Sequence, residues 1–265
     1  MYTNPFYLAE LQVRNCQVEL LINDVTCFDH YKEGGMAVDW PINAYILSSG
    51  KQFFTIKANC FENETNISKK ASIDLKITLR DAFDFSKPKQ IVKQHFHISF
   101  EDKETPMYVS GDFFEAEVPY KLEGWKNSFD FSDYIHGENS VKEGLINELK
   151  NTYETFHQII KNRDTQTYNS LNNQRFQEIT TSFYLTEEEK KDRQKTILNS
   201  SRQDVEKIDF SEYSLNFYGD KSQVVGLKAY NQPPGFVFEN DEGMIITELA
   251  LFHLKKGDNK LSLIR

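Results

Sequence analysis

The first half of the chain shows the two-residue repeat of apolar and polar positions that is typical of β-strands. In segment 72–80, one face of the strand is predicted to be buried and the other solvated. The predicted buried side chains are Ile73, Leu75, Ile77 and Leu79, and the predicted solvated ones are Asp74, Lys76, Thr78 and Arg80. The same alternation returns in four further segments: Val18/Leu20/Ile22, Phe54/Ile56/Ala58, Phe96/Ile98/Phe100 and Phe114/Ala116/Val118. Because no amphipathic helix separates these runs, residues 1–122 are predicted to form an antiparallel β-sandwich domain.

The pattern changes after residue 122. Residues 123–139 are rich in aromatic and acidic side chains and show no periodicity, so they are predicted to form a linker whose aromatic residues pack against one or both domains. Ser140 and Glu143 then have the spacing of a capping box. A helix with one apolar stripe is predicted to follow, from Val141 to Ile160.

Two more helices and a group of strands are predicted in the rest of the chain. The second helix starts at Asp164 and turns Leu171 and Phe183 inward, and the third follows a capping box at Thr186 and Glu189. Strand patterns return in five segments: 213–218, 224–230, 236–238, 245–254 and 261–264. Residues 140–265 are therefore predicted to be an α+β domain whose helices cover one face of an antiparallel sheet. This order resembles the cone-shaped nuclear-transport-factor-2-like (NTF2-like) and cystatin-like folds.

Charge and apolar content exclude several classes of function. The chain has 31 basic and 40 acidic residues, a formal net charge of −9, which disfavours a nucleic-acid partner. Its apolar runs are too short for a membrane-spanning helix, and its first residues carry no secretory signal, so we expect a cytoplasmic protein without a membrane partner. Cys16, Cys27 and Cys60 form no Cys-x-x-Cys pair and are predicted to be reduced.

The sequence predicts no catalytic residue, metal ion or cofactor. His95 and His97 project from the same face of a strand, but two ligands do not make a metal site, and two exposed histidines are the simpler interpretation. His157 or Asp220 could act as a base if the C-terminal domain held a small-molecule pocket. No phosphate loop and no nucleophile motif is present.

The order of strands and turns near the N-terminus resembles two known kinds of sandwich. The segments that carry this resemblance are Val18–Val25 with its Asn-Asp turn, Val38–Gly50 with its Pro-led stretch, and Lys51–Lys57. They are similar to the jelly-roll sandwiches attached to glycoside hydrolases, and to the N-terminal halves of immunity proteins that neutralise bacterial toxins, including toxins of type VI secretion. The helical segments Tyr153–Asp164 and Phe183–Glu189, followed by a sheet, also resemble those immunity proteins.

The leading hypothesis is a two-domain cytoplasmic immunity protein that binds and occludes a bacterial toxin. The resemblance implies no particular binding residue. The net charge of −9 suits a basic toxin. The alternatives are a carbohydrate-associated module or an enzyme with a C-terminal pocket, and a structural accessory protein. Oligomeric state is left open.

Turns of the C-terminal sheet are the predicted partner-binding surface, because they combine acids with aromatic neighbours as interface rims and cores do. The predicted residues are Asp209, Glu212, Tyr213, Tyr218, Asp220, Phe236, Phe238, Glu239, Asp241 and Glu242.

Overall fold

The computed structural model describes residues 2–192, 210–229, 232, 234–239 and 245–265. Its contacts divide the chain into two compact units. Unit 1 is Met1–Leu122 with Ser182–Tyr184, and unit 2 is Glu123–Thr181 with Leu185–Arg265. Helices and antiparallel sheets are both present, which confirms the α+β class. That the two halves are independent domains stays a prediction.

Unit 1 is built from strands. In the described residues these are β1 (Pro5–Arg14), β2 (Gln17–Ile22), β3 (Val25–His30), β4 (Gly35–Pro41), β5 (Gly50–Asn59), β6 (Ser72–Asp81), β7 (Gln90–Ser99) and β8 (Met107–Ala116). They form two four-stranded antiparallel sheets, in the orders β4-β1-β6-β7 and β3-β2-β5-β8. A 3-10 turn at Asn43–Tyr45 lies between β4 and β5.

The alternation in the sequence explains which side chains fill unit 1. Ile73, Leu75 and Ile77 are buried, as predicted. The prediction is wrong for the end of the strand, because the register shifts at Ile77 and Thr78: Thr78 is buried and Leu79 is only half-buried. Rings from the two sheets meet between them, with Phe54 and Phe96 at 5.3 Å between centroids and Tyr7 and Phe114 at 6.1 Å. The apolar faces of both sheets therefore share one core.

The turns of unit 1 also follow from residue chemistry. Asn23 and Asp24 join β2 to β3 with φ values of 50° and 61°, which confirms the predicted Asn-Asp turn, since these residues tolerate left-handed backbone. Asn43 is fully buried, and its side chain accepts from the Tyr7 N–H and donates to the Pro5 carbonyl. This amide ties the 3-10 turn to the first strand.

Unit 2 begins with helices. These are α1 (Ser132–His136), α2 (Asn139–Lys161), α3 (Thr165–Leu171) and α4 (Asn173–Ser182), and residues 187–192 are helical too. The capping box predicted at Ser140 and Glu143 is wrong, because α2 already begins at Asn139 and the residue before it, Glu138, makes no side-chain cap. The Asp164 carboxylate caps α3 by accepting from the Thr167 N–H at 3.1 Å. Thr186 and Glu189 form the predicted reciprocal capping box, with hydrogen bonds of 2.7 and 3.3 Å. No described helix is both long and apolar enough to cross a membrane.

The second predicted helix is wrong in two respects. The helix is interrupted at Asn172, where the backbone leaves the helical conformation with a ψ of 1°. The side chain of Asn172 is buried and donates to the Tyr168 carbonyl, which also accepts from the Asn172 N–H. Leu171, predicted to face inward, is 44% exposed at the end of α3. Phe183, predicted to face inward from the same helix, follows the end of α4 and contacts Phe6 of unit 1 at 5.8 Å.

The strands of unit 2 form a sheet and a separate ribbon. Strands β9 (Tyr213–Tyr218), β10 (Val224–Ala229), β13 (Phe252–His253) and β14 (Ser262–Leu263) form the sheet in the order β14-β13-β10-β9, and β11 (Gly235–Glu239) pairs with β12 (Ile245–Leu249). The single strand predicted for 245–254 is therefore wrong. The segment changes its pairing partner at Ala250 and Leu251. The Ala250 N–H donates to the Pro234 carbonyl beside β11, whereas the Leu251 N–H donates to the Arg265 carbonyl beside β14.

Tyr153 of α2 lies at the centre of unit 2. Its ring is fully buried, and its hydroxyl donates to the Ala250 carbonyl at 2.6 Å and accepts from the Leu227 N–H at 3.0 Å. Gly226 makes this packing possible, since a Cβ there would lie 2.7 Å from the Leu251 side chain. The tyrosine thus links the helix to β10 and to the segment before β13.

Residues 123–139, predicted as a linker, are grouped with unit 2. Trp125 and Phe131 are 3% and 2% exposed, and Ser128 pairs through its backbone with Lys255. The aromatic side chains of this segment therefore belong to the packing of unit 2.

Candidate functional site

The predicted partner surface is spread over several parts of unit 2. Glu212 and Tyr213 lie at the start of β9, whereas Tyr218 and Asp220 lie at its end, five or more residues and roughly 17 Å away. Phe236, Phe238 and Glu239 belong to β11, and Asp209, Asp241 and Glu242 lie outside the described residues.

These residues also differ in how far they are exposed to solvent. Tyr218 is 5% exposed. Tyr213 is half-buried against Phe210, with ring centroids 5.4 Å apart, and this burial raises the pKa of its hydroxyl. Glu212 and Asp220 are exposed. Glu212 and Asp220, at opposite ends of β9, therefore do not share one patch, and the role of the whole set in binding stays a prediction.

The residues considered for metal binding or catalysis also lie apart. His97 contacts Asp74 on the neighbouring strand, with 2.7 Å between Nδ1 and Oδ1. Within the described ranges, no group of three or more His, Cys, Asp or Glu side chains could hold a metal ion. His157 is buried in α2, and Asp220 is exposed in the β9–β10 turn.

A different surface stands out in unit 1. Four apolar side chains lie on the outer face of β5 and β8, and we call them the apolar strip: Phe53, Met107, Val109 and Phe113. Their exposed fractions are 53%, 58%, 50% and 42%. Phe53 and Phe113 are direct cross-strand neighbours, with ring centroids 6.4 Å apart. Exposed apolar side chains grouped on one face of a sheet often mark interaction sites.

Cations flank the aromatic end of the apolar strip. The Lys51 ammonium lies 4.2 Å from the centre of the Phe113 ring, within the range of a cation–π contact. Lys93 forms an ion pair with Asp112 beside the same ring. That hydrogen bond from Lys93, together with the Phe113 N–H, lowers the pKa of the Asp112 carboxyl. Aromatic anchors with a charged rim are the usual composition of a protein interface.

The backbone under the apolar strip is held in place from both strands. The side-chain oxygen Oδ1 of Asn23 accepts from the Phe53 N–H at 3.1 Å, and the side-chain amide of Asn23 donates to the Tyr45 carbonyl and to the Gln52 side chain. On β8, a Cβ at Gly111 would lie 2.3 Å from the Phe54 carbonyl oxygen. Glycine is therefore required for the close approach of β8 to β5, and it leaves a gap between Val109 and Phe113.

A second pair of exposed rings lies in the loop between β6 and β7. Phe83 and Phe85 are 58% and 70% exposed. The buried Asp81 carboxylate holds the base of this loop by accepting from four backbone N–H groups, those of Thr3, Asn4, Phe83 and Asp84. Burial alone would raise the pKa of Asp81, but these donors lower it well below its ordinary range. The two phenylalanines are thus displayed from an ordered loop.

The apolar strip was missed at the level of sequence although a signal for it is present. Phe54 and Phe114 were assigned to the core by the two-residue repeat, so the preceding Phe53 and Phe113 have to point outward. Apolar residues in both phases of a strand predict either burial on both faces or an exposed apolar face. The structure shows the second case.

Comparison with known proteins gives no relative from which a function could be transferred: no family model, curated protein or solved structure matches the chain.

Proposed function

We propose that this protein is a binding protein of the immunity class, which occludes a bacterial toxin through the apolar strip of unit 1. The observation that carries the proposal is the cross-strand pair Phe53 and Phe113, exposed on an outer sheet face with Lys51 beside it. Occlusion needs no catalytic geometry. It needs a preformed surface with a few aromatic anchors, since such anchors supply most of the affinity of protein interfaces.

The strand order supports a jelly-roll-like class for unit 1. The two sheets have the strand orders β3-β2-β5-β8 and β4-β1-β6-β7. When the strands are renumbered so that β3 is strand 1 and β1 and β2 follow β8 as strands 7 and 8, these orders become 1-8-3-6 and 2-7-4-5. This is the strand order of an eight-stranded jelly roll. For unit 2 we keep the NTF2-like or cystatin-like class as a proposal, supported by the packing of α2 on β10 around Tyr153. Both proposals agree with the layout of the immunity proteins that the sequence resembles.

The charge of the whole chain and the chemistry of the apolar strip act at different stages of binding. The net charge of −9 would attract a basic toxin over about one Debye length. This length is roughly 8 Å at physiological ionic strength and becomes longer in dilute salt. The contact itself would be made by apolar groups and by Lys51, which calls for an apolar patch and a carboxylate on the toxin. A cytoplasmic location is part of the proposal.

Co-expression with a toxin encoded beside this gene tests the proposal. The wild-type protein should restore growth and co-purify with the toxin at one to one. Phe53→Ser with Phe113→Ser should weaken binding at least tenfold, because each buried aromatic anchor contributes roughly 2 kcal/mol or more.

Phe83→Ser with Phe85→Ser is the matched control, since it removes two rings of similar or greater exposure from the same unit. If the control abolishes protection and the variant of the apolar strip does not, the binding surface is the β6–β7 loop and not the strip. If neither change affects binding to a confirmed toxin, unit 1 does not carry the interface through its exposed aromatic residues.

A further inference from the structure

Unit 2 contains a groove between α2 and the β13–β14 hairpin, with a volume of about 410 Å³. Its floor is made by Phe156, Leu171, Phe252, Leu261 and Leu263. Phe252 and Leu263 are cross-strand partners and so point to the same side, where they meet Phe156. The volume lies in the range of roughly 300–1,000 Å³ that is usual for small-molecule sites.

The wall of the groove is more apolar than its residue types suggest. Thr152 and Thr155 face it from α2, but their hydroxyls donate to the carbonyls of Glu148 and Asn151, each at 2.8 Å. These hydroxyls are thus satisfied within the helix, and the threonines offer their methyl groups to the groove. Leu171 is 44% exposed at its edge, so an apolar ligand would cover a side chain that now faces water.

Two side chains of opposite charge line the groove, Glu148 on α2 and Lys260 on the β13–β14 hairpin. Glu148 lies eight residues before Phe156 on α2, which places it roughly 12 Å away along the helix axis. Lys260 is exposed on the hairpin, and no carboxylate of the described residues lies within ion-pair distance of its ammonium. An anionic group would be attracted to Lys260 and repelled by Glu148, so a ligand with one anionic end would bind in one direction.

We propose that this groove binds an amphiphilic small molecule, with an aliphatic or aromatic body on the apolar floor and one carboxylate or similar anion at Lys260. The site is one of binding, not of catalysis: Glu148 and Lys260 are its titratable residues, and neither His157 nor Asp220 lines it. The proposal goes beyond toxin binding and does not depend on it, because the groove belongs to unit 2 and the apolar strip to unit 1.

Titration of the full chain with decanoate, below its micelle concentration and followed by calorimetry, tests the proposal. Decanoate should bind saturably at one to one. Thr155→Phe should fill the groove and weaken binding at least tenfold. Thr181→Phe is the matched control, because Thr181 is likewise an exposed helical threonine whose hydroxyl donates to the carbonyl four residues earlier; it should bind as the wild type does.

The charge assignment has its own test. Lys260→Gln should weaken decanoate binding about fivefold and leave the binding of the neutral analogue decanol unchanged, while Lys256→Gln on the same hairpin should alter neither. Absence of saturable decanoate binding, or equal binding by the wild type and Thr155→Phe, would overturn the site. Equal decanoate affinity in Lys260→Gln and the wild type would overturn the assignment of the anion to Lys260.

Discussion

Unit 1 and unit 2 place their large apolar side chains in opposite ways. Of the eleven such side chains that are exposed among the described residues, eight lie in unit 1 and three in unit 2. Unit 2 buries its rings instead, as with Phe156 and Tyr168, which stack at 5.7 Å beside the buried Tyr153. A strand presents two independent faces, so unit 1 can expose Phe53 and Phe113 on one face while its core is filled from the other. For the side chains that the structure describes, this difference is consistent with the proposed binding surface on unit 1.

The largest loss of stability is expected when a buried aromatic side chain is removed. Tyr153→Ala should lower the free energy of unfolding by about 3–5 kcal/mol, through the cavity and the unpaired groups of Leu227 and Ala250 that it leaves. Phe53→Ala, its counterpart on the apolar strip, should cost below about 1 kcal/mol. Urea denaturation measures both. Equal losses would mean that the exposed and buried rings do not differ in their contribution to folding.

A pH effect should arise from unit 2. His253 is 1% exposed with its Nδ1 2.6 Å from the Ser128 hydroxyl, and burial lowers its pKa from 6.5 to about 4. On acidification, the unfolded chain binds this proton at a higher pH than the folded protein does. The contribution of the neutral, buried His253 to the free energy of unfolding is therefore complete above pH 6.5 and is lost as the pH falls towards 4. The total decrease in the free energy of unfolding is about 3 kcal/mol, since each unit of pKa difference corresponds to roughly 1.36 kcal/mol.

Unfolding measured at pH 7 and pH 5 should show this slope in the wild type and a clearly smaller one in His253→Gln. His136→Gln, a change at an exposed histidine of unit 2, is the control and should keep the wild-type slope. If His253→Gln keeps it as well, burial of this imidazole is not the source of the pH dependence.

Glycine-to-alanine substitutions in the two units should change the stability of the protein in opposite directions, with smaller effects than the changes above. Gly111→Ala would place its Cβ against the Phe54 carbonyl and should destabilise the protein by about 1–3 kcal/mol. Gly144→Ala in α2 meets nothing within 4 Å and should stabilise it by about 0.5–1 kcal/mol, because alanine favours the helix. Thermal melts should therefore shift in opposite directions. A neutral Gly111→Ala would show that β8 can move away from β5.

Features set by near neighbours in the sequence were predictable. The Asn23–Asp24 turn and the capping box at Thr186 depend on residues within a few positions of each other, and both are confirmed. The predicted buried phase of β6 holds from Ile73 to Ile77 and fails at Thr78, which is buried after an irregularity in the strand register. Each follows from side-chain period or from hydrogen bonds between close residues. The α+β class follows from the same local signals.

The errors come from contacts between distant residues. The break after Leu249 depends on the carbonyls of Pro234 and Arg265, and periodicity in segment 245–254 carries no information about them. The break at Asn172 coincides with a side chain that is buried only in the folded unit. The candidate surface was sought in turns with mixed charge and aromatic residues. The apolar strip instead requires the pairing of β5 with β8, which places Phe53 opposite Phe113.

The smallest predicted effect concerns this pair itself. Phe53 and Phe113 contact each other across the strands, yet both are about half exposed. An exposed cross-strand aromatic pair contributes roughly 0.2–1 kcal/mol. A double-mutant cycle with Phe53→Ala and Phe113→Ala should therefore give a coupling free energy within that range for unfolding, while the same variants weaken partner binding by far more. A coupling above about 2 kcal/mol would mean that the two rings are held as part of the folded core. The apolar strip would then serve the fold of unit 1, and the comparison between its exposed rings and the buried rings of unit 2 would no longer indicate where a partner binds.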